Sequence, residues 1–138
     1  MWHFKNYCVD MKAMICLCLC LGLWMLWACS RKATYQSVDV EEFAVVMQQE
    51  GVVLLDVRTA AEFAEGHLAG ATLLDVQDSS FLSLAQEALP ANANVAVYCR
   101  SGRRSAAAAE KLAALGYKVV NLKGGILAWQ AAGKETER

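Results

Sequence analysis

Two short runs, Val52-Val53-Leu54-Leu55 and Val95-Ala96-Val97-Tyr98, are apolar or aromatic at every position. A strand with one wet face alternates polar and apolar side chains. A strand that is apolar throughout is covered on both sides, as when helices flank a parallel sheet. Around these runs, Val40, Phe43, Ala44 and Met47 recur at helical spacing. They predict a helix from about Val40 to Gln49, capped by Ser37 or Asp39 and stopped by Gly51. Asp56-Val57-Arg58 ends the first run, and Thr59-Ala60-Ala61-Glu62 is a capping box opening a short helix that Gly66 closes. His67-Leu68-Ala69-Gly70 reads as a turn, Ala71-Thr72-Leu73-Leu74 as a short strand, and Ser80 to Ala88 as a helix ending before Pro90. A helix from Ser105 to Leu115 with Gly116 at its C-cap follows, then a strand from Lys118 to Leu122. Gly124-Gly125 is a turn, and Ile126 to Ala132 a last helix. The alternation implies an α/β fold with a mostly parallel sheet and helices on both faces. Ligand sites of such sheets form at the carboxyl ends of the strands.

Cys99 stands at one of those ends. It opens the run Cys99-Arg100-Ser101-Gly102-Arg103-Arg104-Ser105, a Gly- and Arg-containing loop leading into an alanine-rich helix. The amides of such a loop can turn inward to cradle an anion, and the helix dipole adds to the effect. Arg100, Arg103 and Arg104 raise the local positive potential. Because the thiolate is the nucleophile, this setting should lower the ordinary cysteine pKa of about 8.5 toward neutrality or below. The sequence therefore predicts a reactive cysteine, with Arg100, Ser101, Gly102, Arg103 and Arg104 as its anion-binding loop.

The N-terminus carries most of the remaining apolar content. From Ala13 to Ala28 the chain runs 16 residues without a charge, with Lys12 before it and Cys29-Ser30-Arg31-Lys32 after it. A basic flank, an apolar stretch and a small residue at the break make an export signal, slightly short for a spanning helix of about 20 residues. Leu26-Trp27-Ala28-Cys29 resembles the lipobox of bacterial lipoproteins, in which cleavage precedes a lipidated cysteine, here Cys29. Trp27 departs from that pattern, where a smaller side chain is usual. An uncleaved anchor is the alternative. Both readings tether the domain by its N-terminus on the periplasmic side of a bacterial cell envelope. Met11-Lys12 would itself make an ordinary start. Of the six cysteines, Cys8, Cys16, Cys18 and Cys20 lie in the signal, so a lipidated Cys29 leaves Cys99 without an intramolecular partner. An exported chain with one spare thiol is not a disulfide scaffold. Beyond residue 28, leaving out Lys5, Lys12 and Asp10 from 13 basic and 14 acidic residues, the formal charge is −2, which argues against nucleic-acid binding. The remaining stretch of about 110 residues can bury roughly two-thirds of its unfolded surface, enough for an unassisted core.

Four motifs then occur in one order: Leu55-Asp56-Val57-Arg58; Glu62-Phe63 with Gly66-His67-Leu68-Ala69-Gly70-Ala71; the Cys99–Ser105 loop; and Leu122-Lys123-Gly124-Gly125 followed by Trp129. Together they resemble the single-domain rhodanese (thiosulfate sulfurtransferase) family over nearly all of Val38 to Trp129. The resemblance implies a five-stranded α/β fold and a cysteine carrying sulfane sulfur as a persulfide, matched by Cys99. With the N-terminal reading above, the chain divides into a signal (1–28), a tether (29–36), a rhodanese domain (37–133) and a tail (134–138). It implies a small sulfur-containing anion as donor, a thiol or cyanide-like acceptor, no metal and no organic cofactor, and a monomer. Asp56 and Arg58 are read as bracing the site through each other or through loop backbone. His67 is read as structural and Trp129 as core packing.

Two other classes compete. Cysteine phosphatases and arsenate reductases, on a related architecture, place an arginine six positions after the cysteine. Here that position is Ser105, so a phosphate dianion would lack its bidentate clamp, and the loop is one residue shorter. A tethered sulfur-binding or redox-sensing module without significant turnover would keep the cysteine but not the kinetics. Disulfide exchange lacks the Cys-x-x-Cys that resolves a mixed disulfide.

Overall fold

The computed structural model describes residues 34–138. The expected export signal and Cys29 lie outside the described residues. Strands and helices alternate: β1 Gln36–Val38, α1 Val40–Val46, β2 Val52–Asp56, α2 Ala60–Glu65, β3 Thr72–Leu73, α3 Phe81–Ala88, β4 Asn94–Tyr98, α4 Arg103–Ala114, β5 Lys118–Leu122 and α5 Gly125–Ala131. The five strands form one sheet in the order β1-β5-β4-β2-β3, with every neighbouring pair parallel. β4 is the central strand and pairs with β2, Leu55 opposite Val97 and Asp56 opposite Tyr98.

The uniform apolar runs follow from that position. Alternate side chains of β4 go to opposite faces. Val95, Val97 and Cys99 pack with Leu55, Phe81, Ala85, Ala108 and Leu112 on the face covered by α3 and α4. Ala96 and Tyr98 pack with Leu54, Phe43, Leu122, Ile126 and Trp129 on the face covered by α1 and α5. Ala108 and Ala109 are fully buried. Their short side chains let α4 lie close against the strand that ends in Cys99.

Several boundaries differ from the sequence reading. β1 was not expected; Gln36, assigned to the tether, is its first residue, and Tyr35 packs partly against the core. Only Val38 of the three strand residues is buried, so no apolar run announces it. Asp39 caps α1 by accepting from the Glu42 N–H at 3.0 Å, and the helix ends at Val46, short of Gln49. α4 begins at Arg103, two positions before Ser105, because Gly102 at φ 88° turns the chain directly into the helix. Residues 134–138, the expected tail, are pinned to the domain. Glu137 and His67 exchange backbone hydrogen bonds at 2.8 Å, and Trp129 Nε1 donates to Glu135 O at 2.9 Å.

Candidate active site

The β4 strand delivers Cys99 to the carboxyl edge of the sheet, and the next residues fold over its sulfur. The loop's shape comes from its packing against the β5–α5 turn. Ile126 N–H donates to Cys99 O at 2.8 Å, and Leu127 N–H to Arg100 O at 3.2 Å. With these carbonyls held by the first turn of α5, the following amides turn the other way, toward sulfur. Such backbone-to-backbone contact leaves no room for side chains. A Cβ on Gly125 would overlap the carbonyl oxygens of Cys99 and Arg100, and one on Gly102 would lie 2.9 Å from Gly124 N.

Cys99 is 1% exposed, yet its sulfur is not surrounded by hydrocarbon alone. Gly102 N–H donates to Sγ at 3.1 Å, and the Ser105 hydroxyl donates to it at 3.3 Å. Burial pushes the thiol's pKa up. The Ser105 hydroxyl and the N–H groups of Ser105, Ser101 and Gly102 outweigh it, holding the thiol below its ordinary value. Hydrogen bonds offered to the charged form favour that form.

Two ion pairs frame this loop. Asp56 is fully buried and accepts from Arg58 Nε at 2.9 Å, Nη2 at 2.6 Å and the Arg58 backbone N–H at 3.0 Å. Arg58 Nη2 also donates to Gly66 O at 2.7 Å, and its guanidinium lies 5.7 Å from the Tyr98 ring centre. The pair thus ties the end of β2 to the turn after α2. Tyr98 belongs to the same buried group: its hydroxyl accepts from Leu68 N–H at 3.0 Å, and burial pushes its pKa up. The second pair spans 42 positions. Arg104 grips Glu62 through both terminal guanidinium nitrogens, at 2.6 and 2.8 Å. Glu62 also closes the predicted capping box with Thr59. Arg104 holds the Glu62 carboxyl down to about 2, well below the ordinary glutamate range.

The structure separates the arginines that sequence grouped together. Arg104 is committed to Glu62 and faces α2. Arg103 is exposed on the first turn of α4, and Ser101 is exposed at the loop tip. Arg100 is exposed and lines an open pocket beside α5. Of the expected anion-binding residues, Gly102 and Ser101 turn backbone N–H groups toward sulfur, while Ser105, Glu62 and the Gly124-Gly125 turn enter the site unexpectedly. A lone hydroxyl at the head of the run Ser105-Ala106-Ala107-Ala108 was the available signal for Ser105. His67 stacks on Phe63 at 3.7 Å and pairs with Glu137, among the turn and tail residues.

A parallel α/β sheet with a cysteine held below its ordinary pKa in an amide-lined loop at its carboxyl edge is an arrangement suited to chemistry at sulfur. The rhodanese-like domain family matches residues 39–132, and the chain belongs to that family. A sulfurtransferase of Allochromatium vinosum is 40% identical over 85 residues, covering 61% of this chain and 77% of that protein. Thiosulfate sulfurtransferase GlpE of Pseudomonas putida is 34% identical over 99 residues, 70% of this chain and 86% of that one. Among solved structures, a rhodanese-related protein of Thermoplasma volcanium superimposes with a TM-score of 0.65 at 30% identity. That match covers 75% of this chain and 98% of the other.

Proposed function

We propose that the protein is a sulfurtransferase in which Cys99 takes sulfane sulfur from thiosulfate, or a similar donor, and hands it to a thiophilic acceptor. The observation that carries this reading is the pair of donors on Sγ, Gly102 N–H and the Ser105 hydroxyl. The Cys99 thiolate attacks the outer sulfur of thiosulfate, the sulfur–sulfur bond of the donor breaks, and its electron pair leaves with sulfite. The products are a Cys99 persulfide anion and sulfite, with charge conserved. Inward-facing amides stabilise charge that gathers at the sulfurs in the transition state, which is electrostatic catalysis by fixed dipoles. In the second half-reaction an acceptor nucleophile removes the outer sulfur and returns the thiolate.

The deep burial of Cys99 also fits a sulfur-holding or sensing module with slow turnover. Multiple-turnover kinetics separate the two. The test is Cys99→Ser in a thiosulfate-to-cyanide assay, with intact mass before and after thiosulfate. The wild type should gain one sulfur atom and turn over; the variant should do neither. Turnover surviving in the variant would overturn the assignment, and stoichiometric loading without turnover would select the holding module.

The domain works tethered to the periplasmic side of a bacterial envelope membrane through lipid on Cys29. This reading rests on the uncharged block from Ala13 to Ala28 and the motif Leu26-Trp27-Ala28-Cys29. Cys29→Ser should move the protein from the membrane to the soluble fraction. An unlipidated wild-type mass would overturn it.

A further inference from the structure

The positive charge gathered after Cys99 in sequence is mostly engaged or turned elsewhere in the fold. Arg103 is exposed on the first turn of α4, and Arg100 lines a pocket whose walls include neither Cys99 nor Ser105. Arg58 is bound to the buried Asp56. Arg104 remains. It immediately precedes Ser105, whose hydroxyl lies 3.3 Å from the Cys99 sulfur. Its charged form is favoured by hydrogen bonds to Glu62, against the cost of burial, and then by the charges of Glu62, Cys99 and Asp75.

Arg104 is nevertheless not free to meet an incoming anion. Glu62 accepts from both of its terminal nitrogens, at 2.6 and 2.8 Å, and the same carboxylate closes the capping box with Thr59. The two side chains are 26% and 25% exposed, so the pair meets solvent while the sulfur does not. Asp75 stands at the same edge of the sheet. Its neighbours Leu74 and Val76 donate to Asp56 O and Val57 O, at the end of β2 and just past it. Its carboxylate accepts from Gln77 N–H at 2.9 Å and has no ion pair among the described residues. Around Arg104 one cation therefore faces two carboxylates, and an ionised Cys99 adds a third negative charge.

A sulfane donor must bring its own negative charge toward this group. Thiosulfate brings two charges, and a thiosulfonate only one. The loop amides turn to the sulfur, but they are dipoles and not a full cation. Resting on the sulfurtransferase reading above, we infer that Glu62 is a specificity-determining residue of the loading step: by holding Arg104 it neutralises the cation beside the cysteine loop and tilts the choice of donor toward species with a single negative charge. Glu62 acts on the donor through Arg104 and takes no part in bond making. With either kind of donor the Cys99 thiolate attacks the outer sulfur and the donor's sulfur–sulfur bond breaks. Its electron pair leaves with sulfite or with a sulfinate, and charge is conserved.

The test measures the second-order rate of sulfur loading on the full chain by intact mass. Its probes are thiosulfate and the methanethiosulfonate anion, which presents the same terminal sulfur with one charge fewer. The readout is the ratio of the two rates, in which a change in the thiolate fraction of Cys99 cancels. Glu62→Gln removes the charge but keeps an oxygen for the capping box. One exposed charge pair supplies a factor of up to about five, so this variant should raise the ratio of thiosulfate to methanethiosulfonate rates by up to about fivefold. Asp75→Asn should move the ratio the same way and Arg104→Gln the opposite way. The double variant Glu62→Gln/Arg104→Gln should return near the wild type. Every shift should fade between about 0.01 and about 1 M salt, as the screening length drops from about 30 to about 3 Å. A merely structural role would give shifts of one sign, indifferent to salt. An unchanged ratio in folded Glu62→Gln, or a shift that survives high salt, would overturn the inference, and both outcomes can be read even if Arg104→Gln does not fold. Failure of the wild type to load from either donor would instead overturn the sulfurtransferase reading itself.

Discussion

Replacing Ser105 by alanine removes one hydroxyl from a fully buried position and nothing else from the loop. That hydroxyl donates to Cys99 Sγ at 3.3 Å. A hydrogen bond to a charged group is worth about 1.5–3 kcal/mol, and the lower end applies because the loop N–H groups remain. At about 1.4 kcal/mol per pKa unit, the thiol should titrate about one unit higher. Below that pKa the thiolate fraction, and with it the loading rate, should fall about tenfold. Alanine is a good helix former, so the first turn of α4 should persist. The measurement is the rate of iodoacetamide alkylation against pH, beside the rate of sulfur loading from thiosulfate. Both should rise through the thiol pKa to the same plateau, the variant's limb displaced to alkaline pH. A folded thiol pKa below the unfolded one stabilises the fold above the unfolded value, and this gain is lost as pH falls through the folded value. Ser105→Ala should shrink that alkaline gain. Superimposable alkylation profiles in a folded variant would refute the assignment of the lowered pKa to this hydroxyl.

Gly125→Ala should destabilise the fold by more than the ~1–3 kcal/mol of a left-handed alanine, since its Cβ also overlaps two carbonyls of the loop. Gly51→Ala, with a similar positive φ but nothing within 4 Å, should show only the conformational cost in the same thermal melt. Arg58→Met leaves the Asp56 carboxylate buried and unpaired, so urea unfolding should reveal a loss of about 3–5 kcal/mol. Glu62 has a folded pKa of about 2 against an ordinary 4.5, so its contribution is present above 4.5 and drains away as pH falls through about 2. Urea midpoints of the wild type and Glu62→Gln should therefore converge toward pH 2.

Much of this was legible because local pattern and burial coincide. The runs at Val52 and Val95 are uniformly apolar because both faces of β2 and β4 are covered. Cys99 could be placed at a strand end for the same reason. What escaped was long-range or conformational. β1 rests on pairing with β5 rather than on its own side chains, of which only Val38 is buried. The Arg104–Glu62 clamp joins residues 42 apart, so three neighbouring arginines looked equivalent when only one has a committed partner. Ser105 stands where a cysteine phosphatase keeps arginine, and its hydroxyl donates to sulfur across six positions. Gly124-Gly125 announced a turn, but nothing local tells that its backbone presses on a loop more than twenty positions earlier.

The seat taken by α5 against that loop has a consequence for synthesis. Cys99 O and Arg100 O acquire their partners from Ile126 and Leu127, more than twenty positions later. While the polypeptide is still emerging, the cradle has no outer wall to shape it. The sulfur is then an ordinary, mostly protonated thiol, sheltered from stray electrophiles until the last helix docks.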